Sequence, residues 1–208
     1  MKFFHFVITS FFIFTFIFLS LLTACSPVDS LQVFNQQQVE ILLKSNITSN
    51  PARQRISLVL PSNKPWQEID VSLYKTGTPV ILIPKDERFS NWHESIRTDI
   101  RSYKKYPDIT PTQLAQQVMK TAYEKCTKIN SDIIEHTANI VIYRLEKSHC
   151  KSENNQIQFG KAFKGIDAVY TVYYSAVPQY VSQDEIARMQ AVIENARLVN
   201  NPTYKSNR

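Results

Sequence analysis

Glycine is scarce in this chain: only three of its 208 residues are glycine. The sequence contains no Walker A loop, no dinucleotide-binding glycine fingerprint and no G-x-S-x-G nucleophile elbow. It also lacks a basic block, because the 24 Lys and Arg residues behind its net charge of +6 are spread along the chain. These absences argue against a glycine-rich phosphate loop and against nucleic-acid binding. The spread charge favours a solvated surface with a weak attraction to anionic lipid or acidic polymers.

The longest apolar run lies at the start of the chain. Lys2 precedes an apolar segment from Phe3 to Ala24, which is long enough to span a bilayer. The run ends in the stretch Leu22-Thr23-Ala24-Cys25. Two interpretations of this run are open. It is either an uncleaved membrane anchor followed by a chance cysteine, or a leader that a peptidase removes by cutting the chain next to small residues. The two small residues before Cys25 favour removal.

This four-residue stretch resembles the lipobox of bacterial lipoproteins. The resemblance implies that residues 1–24 are a signal peptide and that Cys25 carries the lipid that attaches the chain to a membrane. Ser26 stands where an Asp typically retains a lipoprotein at the inner membrane. We therefore expect a protein of the bacterial cell envelope that faces the periplasm, at the outer membrane rather than the inner.

Two further cysteines, Cys126 and Cys150, remain if Cys25 is acylated. In an exported chain such a pair predicts one disulfide bond. Free buried thiols are one alternative. Metal binding through His149 and Cys150 is another, but adjacent strand residues point to opposite faces and no second close ligand pair exists. We expect no metal and no cofactor.

The mature chain divides into a tether, one domain and a tail. We expect residues 25–54 to form the lipidated tether, with a short amphipathic helix from Leu31 to Leu42. Residues 55–200 are long enough for one folded domain. Residues 201–208 are expected to be a flexible tail.

The domain opens with strand patterns. The segment ISLVLP predicts a strand, and residues 66–83 predict a hairpin that turns at Thr76-Gly77-Thr78. A helical turn from Phe89 to Trp92 is expected before another strand. A single strand is predicted over 132–150, followed by strands in NNQIQFGKAF and DAVYTVYYSA. One long strand would carry Cys150 far from Cys126, so the disulfide requires that this segment fold back.

Two helices complete the pattern. The first begins at Pro111 with Thr110 as its cap, and the second is capped by Ser182. Strands, helix, strands and helix in this order predict an α+β domain with two helices packed on a mostly antiparallel sheet. A PsbP/Mog1-like sandwich is compatible with that order.

The strand with three tyrosines, Tyr170, Tyr173 and Tyr174, is the most distinctive mature segment. Its two faces alternate. One interpretation is a central strand covered on both faces, and the other is a tyrosine-lined contact surface for a peptide, a glycan or a partner protein.

No catalytic pattern is evident in the mature chain. Its histidines, His93, His136 and His149, have no zinc-protease spacing, so a site with a nucleophile such as Ser175 would have to be assembled by the fold. The region from Trp92 through GKAFKGIDAVYTVYYS resembles uncharacterised exported bacterial proteins, which implies no activity.

Three hypotheses follow from these patterns. The first is a non-enzymatic interaction or assembly module that binds an envelope protein partner. The second is a lipoprotein that binds a small ligand or glycan, which requires a deep apolar pocket. The third is an unrecognised hydrolase.

Overall fold

The computed structural model describes residues 38–43, 46–47, 50–69, 80–151 and 154–201. These residues fall within one compact unit, Gln36–Arg208. The predicted signal peptide, Cys25 and the turn at Thr76-Gly77-Thr78 lie outside them.

The strands are short near the start of the domain and mostly longer in its second half. In chain order they are β1 Gln38–Leu43, β2 Asn46–Ile47, β3 Asn50–Pro51, β4 Gln54–Pro61, β5 Trp66–Ile69, β6 Ile81–Pro84, β7 Glu94–Ser102, β8 Cys126–His136, β9 Ile140–Cys150, β10 Gln156–Lys164, β11 Ala168–Ala176 and β12 Arg197–Asn200. A 3-10 turn at Phe89–Asn91 precedes β7, as the sequence predicted.

The two helices begin at the predicted caps. Helix α1 spans Pro111–Lys125, and its cap Thr110 forms a reciprocal capping box with Gln113. Helix α2 spans Gln183–Glu194, and its first turn is held by the Ser182 hydroxyl, which accepts a hydrogen bond from the backbone of Glu185. Both caps satisfy backbone donors that a helix start leaves without partners.

A seven-stranded antiparallel sheet forms the centre of the domain, in the order β5-β6-β7-β11-β10-β9-β8. A second sheet, β1-β4-β12, supplies buried side chains to the main core. Helix α2 and this small sheet contribute to the core on one face of the large sheet, and α1 contacts its other face at β8, β9 and β10. The predicted α+β class, a mostly antiparallel sheet with two helices, is confirmed.

The start of the domain differs from the prediction. Residues Gln38–Leu43 form a strand paired with β4, so the predicted helix is wrong over that part, and residues 31–37 lie outside the described residues. The folded domain therefore includes Gln38–Leu43 and begins before residue 55. The pairing with β4 explains the difference, because it holds this segment in a sheet, whereas a short isolated helix is only marginally stable in water. At the other end, Asn201 is buried and donates a hydrogen bond to the Ala52 carbonyl, so it belongs to the domain and not to a tail.

The predicted single strand over 132–150 is wrong. The chain instead forms a hairpin, in which β8 and β9 pair antiparallel and the Thr137 hydroxyl ties the turn to Ile140. Cys126 and Cys150 are directly opposite each other in this pairing, and they form the predicted disulfide bond. The hairpin supplies the fold-back that the disulfide required.

Tyrosine rings lie against both glycines that the structure describes. A side chain at Gly160 would overlap the ring of Tyr143, which lies across it from β9. A side chain at Gly165 would overlap the ring of Tyr170. Glycine at Gly160 therefore lets a fully buried ring cross the backbone of the neighbouring strand.

We predict that Gly160→Ala lowers the free energy of unfolding by about 1–3 kcal/mol, because the new methyl group overpacks against Tyr143. The cost should fall sharply in a Tyr143→Leu background, where the ring is absent. Urea unfolding of the four proteins in this double-mutant cycle measures the coupling. An equal cost in both backgrounds would show that the ring does not require the glycine.

Candidate functional site

The predicted tyrosine contact surface is wrong for two of its three residues. Tyr170 and Tyr174 are fully buried in the main core. The Tyr170 hydroxyl donates to Asp167 at 2.6 Å, and the Tyr174 hydroxyl donates to Glu94 at 3.0 Å. They are core residues because β11 lies between β7 and β10, and this face of it points toward α2 and the small sheet.

Glu94 is a buried carboxylate at the end of the core. Its side chain is only 2% exposed, and it forms an ion pair with Lys64 as well as accepting from Tyr174. An isolated carboxylate at this depth would be costly, so the two partners explain its charge. Glu94 therefore has a structural role, because Lys64 and Tyr174 already bind its carboxylate.

Tyr173 lies on the opposite face of β11 and is only partly buried. The register places it beside Arg97 of β7, and Thr171 lies beside Asp99. Arg101, two residues further along β7, shares this side of the strand. We call these five residues, Arg97, Asp99, Arg101, Thr171 and Tyr173, the arginine face.

Each of the two arginines of this face lies over an aromatic ring, but the two differ in whether they form an ion pair. The Arg97 guanidinium lies 5.1 Å from the centre of the Trp92 ring, and that of Arg101 lies 5.5 Å from the centre of Tyr106. Arg101 forms an ion pair with Asp99 at 2.8 Å. Arg97 has no carboxylate partner in the part of the chain that the structure describes.

Several polar atoms near Arg97 are buried without a hydrogen-bond partner. They are the Ser95 and Thr171 hydroxyl oxygens and the Nε atoms of Arg97 and Arg101. Buried polar atoms in proteins usually have partners, so such a cluster calls for an explanation. All four belong to the side of β7 and β11 that carries Tyr173.

The sequence contained one signal for this face. In ESIRTDIRS, Ile96 and Ile100 alternate with charged residues, which predicts a strand with an apolar side and a polar side. The partner strand and its register were needed to bring Tyr173 beside Arg97. The arginine face was therefore missed as a site.

The histidines do not assemble the site that a hydrolase would need. His93 contacts Glu87 at 3.2 Å and stacks on Tyr180. His136 contacts Thr112, and His149 contacts Ser148. None of them hydrogen-bonds to Ser175, which is buried on β11.

One groove of about 510 Å³ lies between the β8–β9 hairpin and the start of α2. Its lining includes Lys128, Asn130, Arg144 and Glu146, with Ile186 on the helix. This lining is largely polar, unlike the deep apolar pocket that the small-ligand hypothesis requires.

No group of three or more potential metal ligands occurs among residues 38–43, 46–47, 50–69, 80–151 and 154–201. Within the same ranges, no helix has the length and apolar character needed to cross a membrane.

Three fully buried tyrosines, Tyr143, Tyr170 and Tyr174, and the partly buried Tyr173 give a prediction for alkaline pH. Burial is the main cause that raises the pKa of each phenol, and the bond to Asp167 raises that of Tyr170 further. An unfolded tyrosine loses its proton near pH 10. The native chain therefore holds more protons above that pH, and its free energy of unfolding should fall as the pH rises beyond about 10.

Urea unfolding between pH 8 and pH 11 measures this loss. Tyr143→Phe should make the decline shallower by at most about 1.4 kcal/mol per pH unit, because one buried phenol no longer titrates. Tyr180→Phe, at a tyrosine that is 60% exposed, is the control and should leave the slope unchanged. Equal slopes for all three proteins would contradict the prediction.

Comparisons with known proteins concern the fold. No family model and no curated protein matches the chain. The solution structure of PsbP from the cyanobacterium Synechocystis matches with 14% identity and a TM-score of 0.42, covering 76% of this chain and 99% of that one. A crystal structure of a protein of unknown function from Pseudomonas aeruginosa matches with 11% identity and a TM-score of 0.38, covering 79% and 99%. The chain is similar to both.

Proposed function

We propose that this chain is a lipid-anchored protein of the bacterial cell envelope whose α+β domain faces the periplasm and binds another envelope protein without catalysing a reaction. The lipid on Cys25 attaches it to the membrane, and the outer membrane is the expected location. The leader and the lipobox-like stretch support the anchor. The disulfide-linked β8–β9 hairpin supports the compartment.

The observation that carries the compartment is the pairing of Cys126 with Cys150. The two cysteines occupy directly opposite positions of neighbouring strands, so the fold itself brings the thiols together. Such bonds persist in oxidising compartments and are rare in the cytosol. A periplasmic domain fits this chemistry.

The short tether supports a partner close to the membrane. Strand β1 begins at Gln38, 13 positions after Cys25. Even a fully extended chain of that length reaches only about 45 Å. The distance between the domain and the lipid surface is thus at most about one domain diameter, and an envelope partner would meet the domain there.

The arginine face is the contact surface that we propose for this partner. It is partly accessible, it carries two arginines held by aromatic rings, and arginine with aromatic residues is enriched where proteins bind each other. The exposed part of the face is therefore suited to recognising a partner with acidic groups.

Lipidation is tested by labelling cells with a palmitate analogue and by measuring the intact mass of the protein. The wild-type chain should incorporate the label and lack its first 24 residues. Cys25→Ala should lose the label and keep the leader, whereas Cys126→Ser, the control at another cysteine, should keep the label. A wild-type chain that retains the leader and carries no acyl group would establish the uncleaved anchor instead.

The binding role is tested by photo-crosslinking in living cells. A photoreactive residue in place of Tyr106, at the edge of the arginine face, should give an adduct with an envelope protein. Tyr180, which is 60% exposed and precedes α2, is the control position and should not give that adduct. The Tyr106 adduct should also disappear with Arg97→Gln. Adducts that are the same from both positions, or that persist in the Arg97 variant, would contradict the proposed surface.

A further inference from the structure

We propose that Arg97 binds a carboxylate carried by an acidic side chain of the partner protein. This inference rests on the proposed function only in taking the ligand to be part of a protein.

Arg97 is a partly buried cation with no carboxylate at ion-pair distance among the described residues. Its Nε atom is buried and has no hydrogen-bond partner. The contacts that it does make are with the Trp92 ring and the neighbouring Tyr173 phenol. The Trp92 ring carries no net charge, and the Tyr173 phenol is uncharged while it keeps its proton. Burial raises the pKa of Tyr173 and so favours that uncharged form. A cation that is partly removed from water is stabilised when an anion pairs with it.

The neighbouring arginine shows which anion fits. Arg101 lies on the same side of the same strand, also over an aromatic ring, and it already holds the carboxylate of Asp99. The two arginines thus have matching surroundings, with a carboxylate present at one and missing at the other. A guanidinium binds a carboxylate through two parallel hydrogen bonds, which gives both strength and a fixed orientation.

The atoms around Arg97 favour an acceptor-rich ligand. The Ser95 and Thr171 hydroxyls on the same side of the sheet have no partner, and both side chains are almost fully buried. Each hydroxyl can donate one hydrogen bond. The surroundings of Arg97 are thus rich in donors, but the two hydroxyls do not reach the surface, so the accessible part of the guanidinium is the group that a partner carboxylate, an acceptor only, can contact.

Asp99 limits the size of the ligand. Its carboxylate lies between the two arginines along β7, so a continuous polyanion would meet a like charge beside Arg97. A nucleic-acid backbone carries such a continuous charge. A single acidic side chain avoids this repulsion, which is why we assign the site to a protein carboxylate.

The test uses the mature full-length protein, purified in non-ionic detergent, with Trp66→Phe so that Trp92 is its remaining tryptophan. The probe is the blocked tripeptide Ala-Glu-Ala, which carries one carboxylate, and the blocked tripeptide Ala-Gln-Ala, the Gln tripeptide, is its uncharged control. Trp92 fluorescence reports contact at the Arg97 side chain. Calorimetry gives the affinity in every variant independently of the fluorescence.

The acidic tripeptide should bind saturably and change the Trp92 emission, and the Gln tripeptide should do neither. Arg97→Gln should weaken binding about tenfold or more, the effect of losing charge-assisted hydrogen bonds. Arg144→Gln is the matched control, because Arg144 also lies over an aromatic ring and pairs with a carboxylate, but on the opposite face. It should leave the affinity within about twofold, as expected for a distant charge in salt solution.

Asp99→Asn should strengthen binding, because it removes the like charge and releases Arg101. Asp132→Asn removes the same charge from an exposed position on β8 and should have no such effect. The inference would be overturned by no saturable binding, by equal binding of the Gln tripeptide, or by equal losses in the Arg97 and Arg144 variants. These outcomes are independent of palmitate labelling and crosslinking, so failure of the site and failure of the proposed function are distinguishable.

Discussion

The burial of strand β11 between β7 and β10 is the constraint on which the rest of the structure depends. Residues alternate across a strand, so its two faces must meet different surroundings. One face places Tyr170 and Tyr174 in the core, where their hydroxyls reach Asp167 and Glu94. The other face places Tyr173 beside Arg97. A shift of β11 by one residue would exchange its two faces, so that Tyr173 and Thr171 would enter the apolar core and Tyr170 and Tyr174 would leave it.

Local signals made the helices predictable. Thr110 with Pro111, and Ser182 with its following acidic turn, are start signals that act within a few residues, and both helices begin there. The disulfide was predictable from compartment and count. The hairpin between its cysteines was not, because its turn from Thr137 to Asn139 lacks glycine and proline, and the strand patterns on both sides run together.

Long-range pairing explains the remaining differences. Strand β1 has no pattern that separates it from a helix, and it is a strand because it pairs with β4. The arginine face likewise depends on register, since the charged residues of β7 are typical of a solvated side until Tyr173 and the ring of Trp92 are placed beside them. The lipid on Cys25 stays a prediction, because that residue lies outside the described part of the chain.

The central claim is that Arg97 lacks a carboxylate that Arg101 already has. The measurement that tests it most directly is an NMR spectrum of the arginine Nε–H groups of the mature protein, recorded with and without the acidic tripeptide. We expect the Arg97 signal to shift and to become protected from exchange, while the Arg101 signal changes little, because its guanidinium is already paired with Asp99 through Nη2. Equal shifts at both arginines, or a signal from Arg97 that is already protected and does not respond, would contradict it.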